Sequence, residues 1–140
     1  MGRLSTLGPT LWWNPSSSTT IPREERGQLK QIDAGGAQFV AGVKSNDNIG
    51  CLDESKTVSA KDGSALTWTN IPGSLKYYSC GPRGCWGVNS ANTVFYRGAT
   101  SPNSCAGTSW QMISGALAMV EVGRDGSVYG VNSAGVLYQR

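Results

Sequence analysis

The chain has 140 residues, with 12 basic and 9 acidic side chains and a formal net charge of +3. This length supports one domain with a modest core, and the basic residues are too dispersed to form a nucleic-acid-binding patch. Histidine is absent, which excludes Ser–His and Cys–His nucleophilic catalysis and the usual zinc-activated water. The 19 Gly and 5 Trp predict a folded chain with many turns.

Residues 1–20 match no recognised motif, and they contain no apolar run of signal-peptide length. No stretch approaches the ~20 apolar residues that span a membrane, so no membrane span is predicted. The compartment must then be inferred from the four cysteines. An even number without paired zinc-knuckle spacing favours two disulfides over free thiols or a metal site, and disulfides favour a secreted protein.

From residue 21 onwards the chain repeats itself. Its Gly-Val steps end at Val43, Val88 and Val131, which gives a period of about 43 residues. The two later copies match closely, because WTNIPGSL at 68–75 returns as WQMISGAL at 110–117, and CWGVNS at 85–90 returns as VYGVNS at 128–133. The first copy is looser and lacks a Trp at the expected position, although Trp12 or Trp13 could substitute. The predicted units are about 21–65, 66–107 and 108–140.

Each unit contains four short β-like segments. In the second unit, the Trp68 segment is followed by apolar stretches at 75–80, 85–88 and 94–97, separated by turns rich in Gly and Asn. No helical period of useful length occurs. Four strands in about 43 residues are typical of a β-propeller blade, so the predicted fold is all-β with about three blades.

The motifs Trp68-x-x-Ile-Pro-Gly-x-Leu75 and Gly87-Val-Asn-Ser90 resemble the tectonin repeat, from which fish egg lectins are built. The resemblance implies half of a six-bladed propeller in a secreted, non-enzymatic lectin without a cofactor. Its expected partners are N-acetylglucosamine-type sugars and bacterial surface glycans, lipopolysaccharide or peptidoglycan, in innate defence. Three blades do not close a ring, so a homodimer could supply six, or the chain could be part of a longer protein.

The cysteine positions predict two particular pairs. The turn between Cys80 and Cys85 contains Pro and two Gly, and it can bring the two sulfurs together within one hairpin. By elimination, Cys51 then pairs with Cys105 and ties neighbouring blades.

Sugar sites combine an aromatic face with planar polar groups that hydrogen-bond hydroxyls. Several residues of these types recur in the repeats or lie on the first turn of a repeat. The candidates are Tyr78, Arg83, Trp86, Asn89, Arg97, Arg124, Asp125 and Asn132, with Tyr129 and Arg140 as further copies.

Each candidate has a structural alternative. Trp86 could be blade core, Asn89 and Asn132 could serve only their turns, and Arg124 and Asp125 could be merely solvated. No carboxylate pair indicates a glycosidase, so no enzyme activity is predicted. The alternative function is a protein-interaction propeller, or a truncated paralogue, without sugar binding.

Overall fold

The computed structural model describes residues 29–34, 39–56 and 67–140. The predicted segment 1–20, the start of the first unit and residues 57–66 lie outside this range. The described residues form eleven β-strands and one helical turn at 54–56. Within them, no helix is long and apolar enough to cross a membrane.

The strands form three antiparallel sheets in chain order. Sheet I contains β1 (Leu29–Asp33), β2 (Val40–Lys44), β3 (Asn48–Leu52) and β4 (Thr69–Ser74). Sheet II contains β5 (Tyr77–Gly81), β6 (Gly84–Val88), β7 (Thr93–Arg97) and β8 (Trp110–Ala116). Sheet III contains β9 (Met119–Val122), β10 (Val128–Val131) and β11 (Leu137–Gln139).

The sheets are arranged side by side through their first strands. Strand β5 packs against β1 and β2 of sheet I on one side and against β9 of sheet III on the other. Antiparallel meanders packed in this way are propeller blades, so the predicted all-β fold and blade architecture are confirmed. The two contacts between sheets are named junction I/II and junction II/III.

The boundaries of the blades are offset by one strand from the boundaries of the sequence repeats. The Trp-containing segments become β4 and β8, and these strands pair with β3 and β7, the last strands of the preceding hairpins. A two-residue connection then leads from the outer strand of one sheet to the first strand of the next. The repeat units 66–107 and 108–140 therefore begin one strand earlier than sheets II and III.

The repeated glycine of this outer strand has a conformational cause. Gly73 and Gly115 have φ values of 119° and 115°, a left-handed region that side chains disfavour. Each lies where the pairing register shifts, so that Ile71 and Ser74 oppose the consecutive residues Ile49 and Asn48. The resulting bulge turns the outer strand towards the next blade.

The apolar core lies between blades rather than inside one sheet. Junction I/II buries Ala41, Val43 and Ile49 of sheet I against Tyr78 of sheet II and Leu75 of the connection before it. Junction II/III buries a smaller group around Val88, Val94 and Val120. Sheet II is hydrophobic on both faces, because it packs against sheet I on one face and against sheet III on the other.

Both predicted disulfides are formed. Cys51 bonds to Cys105 across 54 positions and links β3 of sheet I to the loop before β8 of sheet II. Cys80 bonds to Cys85 and closes the β5–β6 hairpin. Among the described residues no cysteine is free.

Candidate functional site

A cleft of about 340 Å³ lies at junction II/III. Trp86 of β6 lines it, and the opposite wall is formed by β10 and by Tyr138 and Arg140 at the end of sheet III. The cleft floor is apolar, with Val94, Ile113, Val120 and Val128. An aromatic ring beside an apolar floor and a few polar groups is the usual composition of a small-ligand site.

Trp86 is held between two side chains. The ring of Tyr96, its cross-strand partner on β7, lies 5.3 Å from the Trp86 ring between centroids. The guanidinium of Arg140 lies 5.3 Å from the Trp86 ring centroid, a favourable cation–π geometry. These contacts fix the orientation of the indole and leave it partly exposed.

A second cluster lies at the hairpin turns of the same junction. Arg83, on the β5–β6 turn, extends over the β9–β10 turn, where a Cβ at Gly126 would lie 3.3 Å from its Cδ. The carbonyl of Arg83 accepts a hydrogen bond of 2.7 Å from the Tyr96 hydroxyl, which connects this turn to the Trp86 stack. Antiparallel strands bring these two turns to the same end of neighbouring blades.

Asp125 shares that end of the blades. Its carboxylate accepts hydrogen bonds of 2.9 Å from the Ser127 N–H and the Ser127 hydroxyl. These bonds lower the pKa of Asp125, with a smaller contribution from the positive charge of Arg83. The structure therefore brings Arg83 and Asp125 together at the turns of junction II/III, beside the exposed Arg124.

Asn89 and Asn132 lie at the other end of the blades. The Asn89 side-chain oxygen accepts the N–H groups of Ala91 and Thr93, and Asn132 makes the equivalent bonds to Ala134 and Val136. These bonds form Asx turns, so both side chains stabilise the turns of their hairpins. Asn89 also lines a smaller cleft of about 140 Å³ at junction I/II.

Tyr78 and Arg97 are placed in the interior. Tyr78 is 0% exposed, and burial raises the pKa of its hydroxyl. Arg97 is also buried; it donates to the Ala106 carbonyl and lies 4.9 Å from the Trp110 ring centroid. These two candidates are thus removed from the surface that a ligand can reach, because the neighbouring blade and loop cover them.

The two clefts occupy equivalent positions. The smaller one is lined by Gly73, Ser74 and Leu75, and the larger one by the repeat equivalents 115–117. In the smaller cleft Trp110 packs edge-to-face against Phe95 at 6.2 Å between centroids. In the larger cleft Tyr138, the equivalent of Phe95, is 51% exposed. Trp110 belongs to β8, the fourth strand of sheet II, and among the described residues no equivalent strand lies beside Tyr138 in sheet III.

Tyr96, which packs against Trp86, and Tyr138, which lines the cleft, were not among the residues predicted from the sequence. The register of the β6–β7 hairpin would have been enough to predict that Trp86 pairs with Tyr96. Gln31, Asp33 and Asp53 were also missed, and their side chains accept backbone N–H groups 47 to 52 positions away in the chain. No local signal reports such long-range partners.

Chemically, the junction offers stacking, apolar contact and hydrogen bonding. Within the described ranges no group of His, Cys, Asp or Glu is arranged to hold a metal ion. Trp86 and Tyr138 provide aromatic surface and Arg140 a guanidinium beside it, while Arg83 and Asp125 provide further polar groups at the turns of the same junction. This combination suits a neutral ligand with one apolar face and several hydroxyls.

Fold and cleft together define a protein of propeller blades with ligand-accessible junctions. The Tectonin domain family matches residues 16–140, so the chain belongs to the tectonin family. It is 51% identical over 111 residues to the fish-egg lectin of Cyprinus carpio, covering 79% of this chain and 46% of that protein. The membership agrees with the prediction of a non-enzymatic protein.

Two further relatives extend the comparison. The chain is 39% identical over 64 residues to the perivitellin-2 31 kDa subunit of Pomacea maculata, covering 45% of this chain and 22% of that subunit. The crystal structure of human WBSCR16 matches with a TM-score of 0.57 and 13% identity, over 96% of this chain and 39% of that one. The latter likeness concerns the fold alone. The chain spans less than half the length of these curated relatives.

Proposed function

We propose that this chain binds glycans as a lectin and that the cleft at junction II/III is one of its sugar sites. The observation that carries the proposal is the partly exposed Trp86 ring above an apolar floor, with Arg140 and Tyr138 beside it. A pyranose has an apolar face that stacks on such a ring and hydroxyls that suit guanidinium and carboxylate groups. Similarity to a protein named fish-egg lectin supports the same ligand class.

The finer assignment follows the tectonin resemblance. The preferred ligands are N-acetylglucosamine-type sugars, including those of bacterial lipopolysaccharide and peptidoglycan, and the role is innate defence by a secreted protein. The two disulfides support an oxidising compartment. A second copy of the chain is the proposed protein partner, giving six blades and several weak sites that bind one glycan surface with avidity.

The site is tested by titrating N-acetylglucosamine into the wild-type chain and into Trp86→Ala, using calorimetry and mannose as the control sugar. Removal of the stacking surface is expected to weaken binding about tenfold or more. Trp86→Tyr carries the residue found at the equivalent position 129, and it is expected to keep most of the affinity. Trp68→Ala, immediately before β4 and away from the cleft, is the matched control and should bind like wild type.

Thermal unfolding separates a lost site from a lost fold. Unchanged sugar affinity in both Trp86→Ala and Arg83→Ala would rule out this cleft as the site. A folded wild-type chain that binds neither N-acetylglucosamine nor bacterial glycans would favour the protein-interaction alternative.

A further inference from the structure

The two observed junctions use the same hydrogen bond. At junction I/II, the Asp33 carboxylate accepts the Cys80 N–H at 2.9 Å. At junction II/III, the Ser79 hydroxyl accepts the Val122 N–H at 2.9 Å. In both cases, a side-chain oxygen on the first strand of one blade binds the backbone of the first strand of the next.

The acceptor position recurs in sheet III. Asp33, Ser79 and Glu121 each pair with the residue that precedes the second-strand glycine, at positions 41, 86 and 129. Glu121 is therefore the third acceptor in the series, with its carboxylate beside the Ser79 hydroxyl. Its two oxygens allow it to keep this contact and accept a further N–H. The donor position, occupied by Cys80 and Val122, is Ala34 in sheet I.

The apolar contacts follow the same rule. The residue before each acceptor points towards the preceding blade, and Tyr78 and Val120 are buried there. Their equivalent in sheet I, Ile32, is 64% exposed. Along a strand, successive side chains point to opposite faces, so Ile32 lies on the outer face of sheet I. Leu29, Ile32 and Ala34 define the leading face.

In sheet III the exposed side chains are those at the positions that contact the following blade in sheets I and II. Ala41 is buried by the following blade and Trp86 is partly covered by it, whereas Tyr129, at the equivalent position, is 40% exposed. Leu137 and Met119 lie exposed on the same outer side of sheet III. Met119, Glu121, Tyr129 and Leu137 define the trailing face. Among the described residues no blade covers either face.

We propose that the trailing face of one chain docks on the leading face of a second copy, with Glu121 accepting the N–H of the second copy's Ala34. The same contact made twice closes a ring of six blades. This inference rests on the second-copy partner of the proposed function and names the surfaces that meet. A second copy fits because one chain carries both halves of the junction that it already forms twice internally. The interface is head to tail, since two different surfaces meet.

The test is light scattering coupled to size-exclusion chromatography of the 140-residue chain at several concentrations. The expected mass is about twice 14.8 kDa. Ile32→Asp on the leading face and Tyr129→Asp on the trailing face should each produce a monomer. Met112→Asp is the matched control, because Met112 is an apolar side chain on β8 that is 68% exposed and lies on neither face. Near-ultraviolet circular dichroism verifies that every variant is folded.

The hydrogen bond is tested separately. Glu121→Ala is expected to raise the dimer dissociation constant about tenfold or more, whereas Glu121→Gln keeps an acceptor oxygen and should stay close to wild type. A folded wild-type monomer at high micromolar concentration would overturn the proposal. A dimer that tolerates Ile32→Asp or Tyr129→Asp would also overturn it, because a same-face dimer needs only one of the surfaces.

Sugar titration of the same samples separates the two proposals. A dimer with the expected variant pattern but no glycan binding would refute the lectin function and leave the docking surfaces standing. Sugar binding by a folded monomer would support the lectin function and refute the docking surfaces.

Discussion

Junction I/II and junction II/III are built from the same repeat but differ in how they are filled. Tyr78 and Trp110 pack edge-to-face at 5.8 Å between centroids in junction I/II, which is also crossed by the Cys51–Cys105 disulfide. Junction II/III buries mainly valines and keeps the cleft beside Trp86 open. The difference follows the strand count, because Trp110 of the fourth strand of sheet II covers Phe95, whereas the described part of sheet III has three strands and Tyr138 is exposed.

The largest expected loss of stability comes from truncating a buried aromatic side chain in junction I/II. Tyr78→Ala should lower the free energy of unfolding by about 3–5 kcal/mol, because it removes a fully buried aromatic ring. Val120→Ala, at the equivalent position of junction II/III, should cost about 2 kcal/mol. Chemical denaturation of both variants measures the difference, and equal losses would contradict the contrast between the junctions.

Tyr78→Phe refines this experiment. The Tyr78 hydroxyl is buried and has no hydrogen-bond partner among the described residues. Leaving a polar group unsatisfied costs about 1–3 kcal/mol, so the phenylalanine variant is expected to be as stable as wild type or more stable. A clear loss of stability would show that the hydroxyl is satisfied in solution.

Removing the inter-blade disulfide is expected to have the next largest effect. Cys51→Ala with Cys105→Ala should cost about 4 kcal/mol from the greater entropy of the unfolded chain. Cys80→Ala with Cys85→Ala is the control and should cost about 2 kcal/mol, because its loop is much shorter. Thermal unfolding under non-reducing conditions compares the pairs. A larger loss for the short loop would show that hairpin geometry outweighs chain entropy.

The smallest expected effect is on the pH dependence of stability near junction II/III. Burial raises the pKa of Glu121, and the negative charge of Asp33 adds to this, while the Ser79 hydroxyl opposes it. The folded state therefore binds the proton more tightly than the unfolded state, so this group's contribution favours folding at low pH and declines as pH rises through its folded pKa. The effect should be below about 1 kcal/mol, because the side chain is largely exposed.

Glu121→Gln should remove that decline when unfolding is measured from pH 4 to 7 at a concentration where the chain is monomeric. Asp125→Asn is the control of opposite sign. The pKa of Asp125 is lowered by its bonds to Ser127, so its contribution is present above its unfolded pKa and is lost as pH falls through its folded pKa. Parallel pH profiles for the two variants would contradict these assignments.

Much of the local structure could be predicted from the repeat. The strands of sheets II and III follow segments identified by alternating apolar residues and Gly or Asn turns, and both disulfides follow from cysteine positions. The candidate site was predicted only in part. Arg83, Trp86 and Asp125 do meet at one junction, whereas Tyr78 and Arg97 are interior residues. A tyrosine or arginine on a strand has the same local pattern whether or not another blade covers it.

The sequence by itself determined the all-β class, the period of the blades and the cysteine pairs, because these depend on local spacing and turn chemistry. Only the tertiary structure decided that the Trp-containing strand closes the preceding blade, and that Asp33 and Ser79 hold neighbouring blades together. It also decided that Tyr78 and Arg97 are interior residues. The reason is physical: burial and long-range hydrogen bonds depend on which surfaces meet, and strands with the same alternating pattern can meet different neighbours.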